Sequence, residues 1–161
     1  MAELTSMEAA SEPALLYAVL TFDGRKLLLP QAEVRSLEPL LDIEPITAEF
    51  SDAVGTIAFG GEYWPVYCLD WELALLNEVP NIRRVCVVLS VGEAYLGLLC
   101  DQIAPFGSSR PALQPMPACM ARSYSPFHAL TIHAGEIACV TTAAQLWAFL
   151  QSTSDAGAAY G

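Results

Sequence analysis

Basic side chains are scarce in this sequence. Its 161 residues include 7 lysines and arginines against 18 aspartates and glutamates, which gives a formal net charge of −11. A field of that sign repels phosphate backbones and anionic lipid headgroups. We therefore expect neither nucleic acid nor a membrane surface among the partners of the protein.

Long apolar runs are also missing. The longest, such as Ala14 to Leu20 and Tyr95 to Cys100, fall far short of the about 20 residues that a membrane-spanning helix needs. The N-terminus carries Glu3, Glu8 and Glu12 where a signal peptide would place a basic region and an apolar run. These features predict a cytoplasmic protein without direct membrane insertion.

The sequence has no motif that points to catalysis or to a metal. Its five cysteines are isolated, with no Cys-x-x-Cys pair. A nucleophile or a zinc site built from Cys119 or Cys139 with His128 or His133 is the alternative. A thiol in an apolar strand has a raised pKa, and the two histidines, five apart in a strand, point to opposite faces. We predict a protein that is not an enzyme and that binds no cofactor and no metal.

Short β-rich runs joined by tight turns make up most of the chain. Turns at Asp23-Gly24, Gly60-Gly61, Gly92-Glu93 and Ala134-Gly135 each separate two such runs, as in a β-hairpin. Many short strands at this spacing favour closed barrels over an open sheet, and two barrels of about five strands fit the chain. The paired runs are residues 14–22 with 25–29, 53–59 with 62–68, 84–90 with 94–100, and 127–133 with 136–140.

Helical and irregular segments are expected between the hairpins. Residues 31–37 are predicted to form a short helical turn or a connector rather than a strand, and residues 69–76 a helix. The proline-containing segments 38–52 and 105–126 are predicted loops. Thr141 or Thr142 is expected to cap a final helix that ends at about Gln151.

The expected domain organisation follows from these elements. Residues 1–13 are predicted to be a disordered leader and 152–161 a flexible tail. Residues 14–151 form a single domain, with subdomains at roughly 14–80 and 81–151 and an exchange of strands between them left open. Only 16% of the residues are charged and 54% are hydrophobic, so part of the apolar surface of this domain is expected to face a protein partner.

The order of elements resembles the CheW domain family from about Ala14 to Leu150. The hairpin before Leu29-Pro30, the Gly60-Gly61 turn and the strand Trp64-Pro65-Val66 carry the resemblance. So does the segment Tyr95 to Ile103, because family members have a similar Gly-apolar-apolar-Val-Asp-x-Val run at this stage. The resemblance implies a mainly β fold of two intertwined five-stranded SH3-like barrels. It also implies a non-catalytic adaptor that couples the cytoplasmic tip of a chemoreceptor to the regulatory domain of a CheA-type histidine kinase.

The resemblance further implies where partners would bind, because family members offer barrel edges to the kinase and an inter-barrel groove to receptor helices. Members commonly carry Glu at the position of Ser36 and Arg at that of Gly60, and both charges are absent here. A paired loss is tolerated better than the loss of one partner. This favours a specialised member, for example in a pilus-motility pathway. The interaction residues predicted in this way are Val34, Ser36, Leu37, Phe59, Gly60, Gly61, Trp64 and Val66.

Two groups of apolar residues have alternative interpretations. Phe59, Tyr63 and Trp64 are either hairpin packing or interface anchors. The apolar residues of the acidic loop are either a lid on the barrel or a docking patch, and they are Leu40, Leu41, Ile43 and Ile46. The rival function is a small-molecule-binding or regulatory barrel that uses the groove between the subdomains.

Overall fold

The protein is described by a computed structural model that covers residues 16–45, 52–107, 111–118 and 125–160, with side chains up to Ser152. The predicted leader at residues 1–13, Ile46 and Cys119 lie outside these residues. In the described part, strands account for most of the regular structure, which confirms the predicted mainly β class. The strands are β1 (Tyr17–Phe22), β2 (Arg25–Pro30), β3 (Val34–Pro39), β4 (Gly55–Phe59), β5 (Glu62–Tyr67), β6 (Val85–Val91), β7 (Ala94–Cys100), β8 (Gln102–Pro105), β9 (Gln114–Pro115), β10 (Ala129–His133) and β11 (Glu136–Val140), and the helix α1 is Ala143–Tyr160.

All four predicted hairpins are present, as β1–β2, β4–β5, β6–β7 and β10–β11. Three of their two-residue loops have positive φ at both positions, Asp23-Gly24, Gly60-Gly61 and Ala134-Gly135, a geometry that matches the right-handed twist of the paired strands. Gly60 and Gly61 have φ of 63° and 86°, a conformation that glycine adopts without steric cost. Local turn chemistry is therefore enough to define these elements.

The strands assemble into two sheets that do not follow chain order. The six-stranded sheet has the order β8-β1-β2-β11-β10-β9 and the five-stranded sheet the order β3-β6-β7-β5-β4. Parallel pairs, β2 with β11 and β5 with β7, join strands that are far apart in the sequence. Each sheet thus contains strands from both halves of the chain, and the division near residue 80 stays a prediction.

Three predicted segments differ from the structure. The predicted loop at residues 105–126 contains the two-residue strand β9 (Gln114–Pro115), which pairs with β10. Residues 31–33 form a single 3-10 turn, but residues 34–39 form strand β3, in which half-buried and exposed side chains alternate as in an edge strand. Residues 69–76 are not helical. The carboxylate of Asp70 accepts hydrogen bonds from the backbone N–H groups of Glu72 (2.8 Å) and Ala74 (3.0 Å), and Leu73 has a left-handed φ of 66°. A side chain that bonds its own backbone in this way competes with helix formation.

The helix α1 begins where the sequence predicts and ends later. The hydroxyl of Thr142 accepts a hydrogen bond from the backbone N–H of Gln145 (3.1 Å), which is an N-cap. The side chain of Glu33 accepts another from the N–H of Ala143 (2.7 Å). The helix continues to Tyr160 rather than ending at Gln151. The predicted end was wrong because the small and polar residues after Gln151 carry no apolar period.

A single apolar cluster connects both sheets and the helix. Leu20, Phe22, Leu27 and Leu29 from the six-stranded sheet pack with Val87, Leu89, Leu96 and Leu98 from the five-stranded sheet and with Leu146 and Leu150 from α1. Because one core serves all three elements, each sheet holds the other in place.

Candidate protein-interaction surface

The β4–β5 hairpin is stiffened by an aromatic cluster at its turn. The indole Nε1 of Trp64 donates a hydrogen bond to the carbonyl oxygen of Phe59 (2.8 Å). The ring of Tyr95 packs edge-on against Phe59 and Trp64, with centroids 4.7 and 5.3 Å apart. Tyr63 is exposed. The aromatic side chains of this cluster are partly buried and support the turn. Part of the cluster is also exposed at the surface. Sequence reasoning missed Tyr95, which lies on β7.

Strand β3 forms an edge of the five-stranded sheet and presents an apolar side chain to solvent. Leu37 is 52% exposed, whereas Val34 packs against the main core. The hydroxyl of Ser36 donates a hydrogen bond to the carboxylate of Glu38. The hydroxyl of Ser36 is therefore bound by a neighbouring carboxylate on the same strand.

The structure groups the predicted interaction residues in two places. Phe59, Gly60, Gly61 and Trp64 come together at the turn of the β4–β5 hairpin. Val34, Ser36 and Leu37 lie on β3, at the opposite edge of the same sheet. Val66 is fully buried and pairs with Gly97 on β7. Its contribution to any contact would be to support the strand, and the assignment of these residues to a contact stays a prediction.

The apolar residues of the acidic loop have two different roles. Leu40 and Ile43 pack against the second apolar cluster, which is formed by Ile57, Val66, Cys68, Cys86, Val88 and Leu99. Leu41 lies between them in the sequence and is 95% exposed. Leu40 and Ile43 therefore cover this cluster as a lid, which was one of the two interpretations of the loop. Leu41 is not part of the lid.

A second exposed apolar surface was not predicted. Trp71 and Ile137, 57% and 64% exposed, line an open groove of about 300 Å³ together with Asp23, Gly24 and Arg25. We call it the Trp71 groove. Sequence reasoning missed Trp71 because residues 69–76 were expected to be helical. The alternation of β11 gives no signal for Ile137 either, because Ile137 shares its face with Cys139, which is buried in the main core.

A buried ion cluster lies behind the Trp71 groove. The side chain of Arg83 has no exposed surface, and its guanidinium donates to both carboxylate oxygens of Asp23 (2.8 and 3.0 Å), to Asp101 (2.9 Å) and to the carbonyl oxygen of Leu69 (2.7 Å). These hydrogen bonds raise the pKa of Arg83 and hold the pKa of Asp23 below its ordinary value. The cluster joins the β1–β2 turn, the segment after β5 and the β7–β8 corner. Its role is structural.

The described cysteines are unsuited to nucleophilic chemistry. Burial raises the pKa of the Cys139 thiol and raises that of Cys86 to about 12, so both are protonated at neutral pH. His128 and His133 are not directed at Cys139: His128 contacts Gln145 (2.9 Å) and His133 contacts Lys26 (3.4 Å). Within the described residues, no group of His, Cys, Asp and Glu could hold a metal ion.

A larger open groove of about 680 Å³ lies beside the five-stranded sheet. Its described lining contains no residue from the strands of the six-stranded sheet, so it does not match the expected groove between two subdomains. The lining residues are Pro45, Asp52, Ala53, Val54, Leu75, Leu76 and Asn77. Among the residues that the structure describes, no helix is long and apolar enough to cross a membrane.

No protein-family model matches the sequence, and no curated protein is similar to it in sequence. Among solved structures, the fold is similar to that of the scaffolding protein TtCheW from Thermoanaerobacter tengcongensis, seen in its crystal structure. The two chains are 13% identical, with a TM-score of 0.63 over 78% of this chain and 86% of the other. The protein therefore has a CheW-like fold of curled, barrel-like β-sheets.

Proposed function

We propose that the protein is a non-catalytic adaptor of a bacterial chemosensory system. It couples the cytoplasmic tip of a chemoreceptor to the regulatory domain of a CheA-type histidine kinase, and it does so in the cytoplasm. The observation that carries this proposal is the similarity of its fold, over 78% of the chain, to that of a CheW scaffolding protein. The buried, protonated thiols of Cys86 and Cys139 support a role without covalent catalysis.

The proposed contacts use the two edges of the five-stranded sheet. Among the strands that the structure describes, β3 pairs only with β6, so its other side offers backbone groups and the side chain of Leu37 to a partner. The turn of the β4–β5 hairpin offers the rim of the Phe59–Trp64 aromatic cluster. Aromatic residues in a preorganised position are effective interface anchors, because little conformational entropy is lost on binding.

The absent charge pair supports a specialised adaptor, of which a pilus-motility system is one instance. Ser36 and Gly60 stand where the family commonly has Glu and Arg, and the Ser36 hydroxyl is engaged by Glu38. A receptor matched to this surface would contact Leu37 and the aromatic turn without relying on that charge pair. In this proposal, the absence of the charge pair alters the contact with the receptor and leaves the fold intact.

The test is direct binding between purified components of the same organism. The wild-type protein is titrated with the kinase regulatory domain and with a cytoplasmic receptor fragment, by isothermal titration calorimetry. Leu37→Asp places a charge on an exposed position, so the protein folds. We expect this variant to bind one of the two partners at least about tenfold more weakly than the wild type. Val66 is buried, so a charge there would test folding rather than binding.

Ile82→Asp is the matched control, because Ile82 is exposed to a similar degree and lies outside the proposed contacts. It should bind both partners as the wild type does. If folded wild-type protein binds neither the kinase domain nor the receptor fragment, the adaptor function is wrong and the similarity is one of fold only.

A further inference from the structure

Strand β3 carries one residue more than its pairing with β6 requires. Val34 pairs with Leu89, and Ser36 pairs with Val88. The register thus shifts by one residue between these pairs, and Arg35 stands outside the pairing. Such a β-bulge bends the strand, and its position sets the face to which the neighbouring side chains point. The side chains that β3 presents therefore depend on where the bulge lies.

The apolar pattern of β3 specifies the position of this bulge only weakly. With the bulge at Arg35, the side chain of Val34 packs against the main core and that of Arg35 is exposed. If the pairing after the bulge simply continued toward the N-terminus, Arg35 would lie opposite Leu89 and Val34 would leave the face of the main core. Val34 is half-buried, and a strand with so few buried apolar positions has a weakly specified register.

Glu33 anchors the chain immediately before the bulge. Its carboxylate accepts a hydrogen bond from the backbone N–H of Ala143 (2.7 Å), the first residue of α1. A negative charge is favoured at a helix N-terminus, and hydrogen bonds to a charged acceptor are stronger than neutral ones. The 3-10 turn that contains Glu33 has no buried residue. Its N–H group at Gln31 is bound to the carbonyl oxygen of Leu16 (2.8 Å), which leaves Glu33 as the tie next to β3.

The start of α1 is a fixed point of the fold. Ala143 is fully buried, and Leu146, one turn further on, lies in the main core. The backbone N–H of Thr141 donates a hydrogen bond to the carbonyl oxygen of Leu28 on β2 (2.8 Å). Glu33 therefore joins the beginning of β3 to a position that the core and the six-stranded sheet hold in place.

We propose that Glu33 is a positioning residue of the β3 edge. Its bond to α1 keeps the bulge at Arg35 and so determines which side chains this edge offers to a partner. When the bond is removed, regular pairing extends toward the N-terminus, Arg35 moves opposite Leu89, and the strand loses its bend. The effect on binding rests on the proposed function, in which Leu37 of the same edge contacts a partner. A preorganised edge binds more tightly because less conformational entropy is lost.

Nuclear Overhauser effects across the β3–β6 pair, measured on the full chain, test the register. The wild type should show backbone contacts of the directly opposite pair Val34 and Leu89. In Glu33→Ala we expect contacts between Arg35 and Leu89 to replace them. Glu33→Gln keeps an acceptor oxygen of the same reach and should keep the wild-type pairing. Asp42→Ala removes the exposed acid of the 3-10 turn that follows β3, and this matched control should also keep it.

Deletion of Arg35 separates positioning from a general loss of stability. The deletion removes the extra residue, so that Val34 and Ser36 become consecutive and pair with β6 in a regular ladder. Glu33 is then no longer needed to hold a bulge. The combination of Glu33→Ala with this deletion should therefore keep the contact between Val34 and Leu89, whereas a general destabilisation by Glu33→Ala would persist.

Calorimetric titration tests the consequence for binding. Glu33→Ala should weaken binding of the partner that Leu37→Asp affects at least about fivefold, and Glu33→Gln should bind it like the wild type. The proposal is overturned if Glu33→Ala keeps the wild-type register, if the deletion does not restore the contact, or if binding of that partner is unchanged. If the wild type binds neither partner, the adaptor function fails, and the register measurements still decide whether Glu33 positions β3.

Discussion

At the scale of the residue, Arg83 is the one buried charged residue in the part of the chain that the structure describes. A fully buried guanidinium is costly to desolvate, and its stability depends on its acceptors. The three acceptor residues Asp23, Leu69 and Asp101 come from separate segments, so the ion cluster exists only when these segments meet. Removing a single acceptor leaves part of a buried charge without compensation. The stability of a variant that lacks one acceptor therefore measures how much the ion cluster contributes to holding these three segments together.

Asp23→Asn tests this cluster through the pH dependence of stability. The pKa of Asp23 in the folded state lies below its unfolded value of about 3.9. The contribution of its carboxylate to stability is therefore complete above about pH 4 and is lost as the pH falls through the folded pKa. At pH 7 we expect the variant to have a free energy of unfolding about 1–3 kcal/mol below that of the wild type. Below pH 4 the two values should converge.

Urea denaturation at a series of pH values measures both effects. Glu93→Gln removes an exposed carboxylate in the β6–β7 turn and should follow the wild-type curve at every pH. Parallel curves for Asp23→Asn and the wild type would contradict a role of Asp23 in the acid sensitivity of the fold.

At the scale of the element, the entry to β4 depends on a close backbone approach. The segment that carries Ile43 and Glu44 crosses directly over Gly55. A Cβ atom at residue 55 would lie 2.5 Å from the Glu44 carbonyl oxygen and 2.5 Å from the Ile43 Cγ2. Such distances force the backbone apart. The pairing of Glu44 with Thr56, which anchors the acidic loop, therefore requires glycine at residue 55.

Gly55→Ala should lower the free energy of unfolding by about 1–3 kcal/mol, because the added methyl group overpacks the crossing. Urea denaturation followed by circular dichroism measures the loss. Ala58→Val adds more volume on the same strand at an exposed position and is expected to change stability by less than about 0.5 kcal/mol. Equal effects of the two substitutions would show that the crossing is not the cause.

At the scale of the whole molecule, the shared core makes the two sheets and α1 interdependent. Leu146 is buried on α1 in the cluster that contains residues of both sheets. Leu146→Ala should cost about 2–5 kcal/mol through lost contacts and the cavity that remains. Far-ultraviolet circular dichroism and tryptophan fluorescence should give coincident urea transitions, in the wild type and in the variant. Two separate transitions would instead support independent units divided near residue 80.

The hairpins and the helix cap were predicted correctly because the interactions that define them are local. The Asp23-Gly24 and Gly60-Gly61 turns need only the backbone preferences of two residues and the alternation of their neighbours. Strand β3 and the turn at Asp70 were missed for a different reason. In an edge strand with half-buried positions, apolar and polar residues alternate only weakly along the sequence. Hydrogen bonds between a side chain and its own backbone produce no periodic pattern of apolar residues.

The surfaces were harder to predict than the elements. Leu37 and Trp64 were predicted as interaction residues through a family resemblance, and that assignment stays a prediction. The Trp71 groove had no signal in the sequence. Trp71 and Ile137 belong to distant segments and become neighbours only because β2 pairs in parallel with β11 and Arg25 binds the Trp71 carbonyl. Parallel pairing of distant strands follows from packing of the whole chain and cannot be found from spacing alone.

The sequence by itself determined the class of the fold, the hairpins, the start of α1 and the acidic character of the surface, since each depends on composition or on residues close together in the chain. Only the tertiary structure decided which strands share a sheet, which carboxylates meet Arg83, and which apolar residues of the loops stay exposed. These features join distant segments, and the free energy that selects them comes from burying one common core.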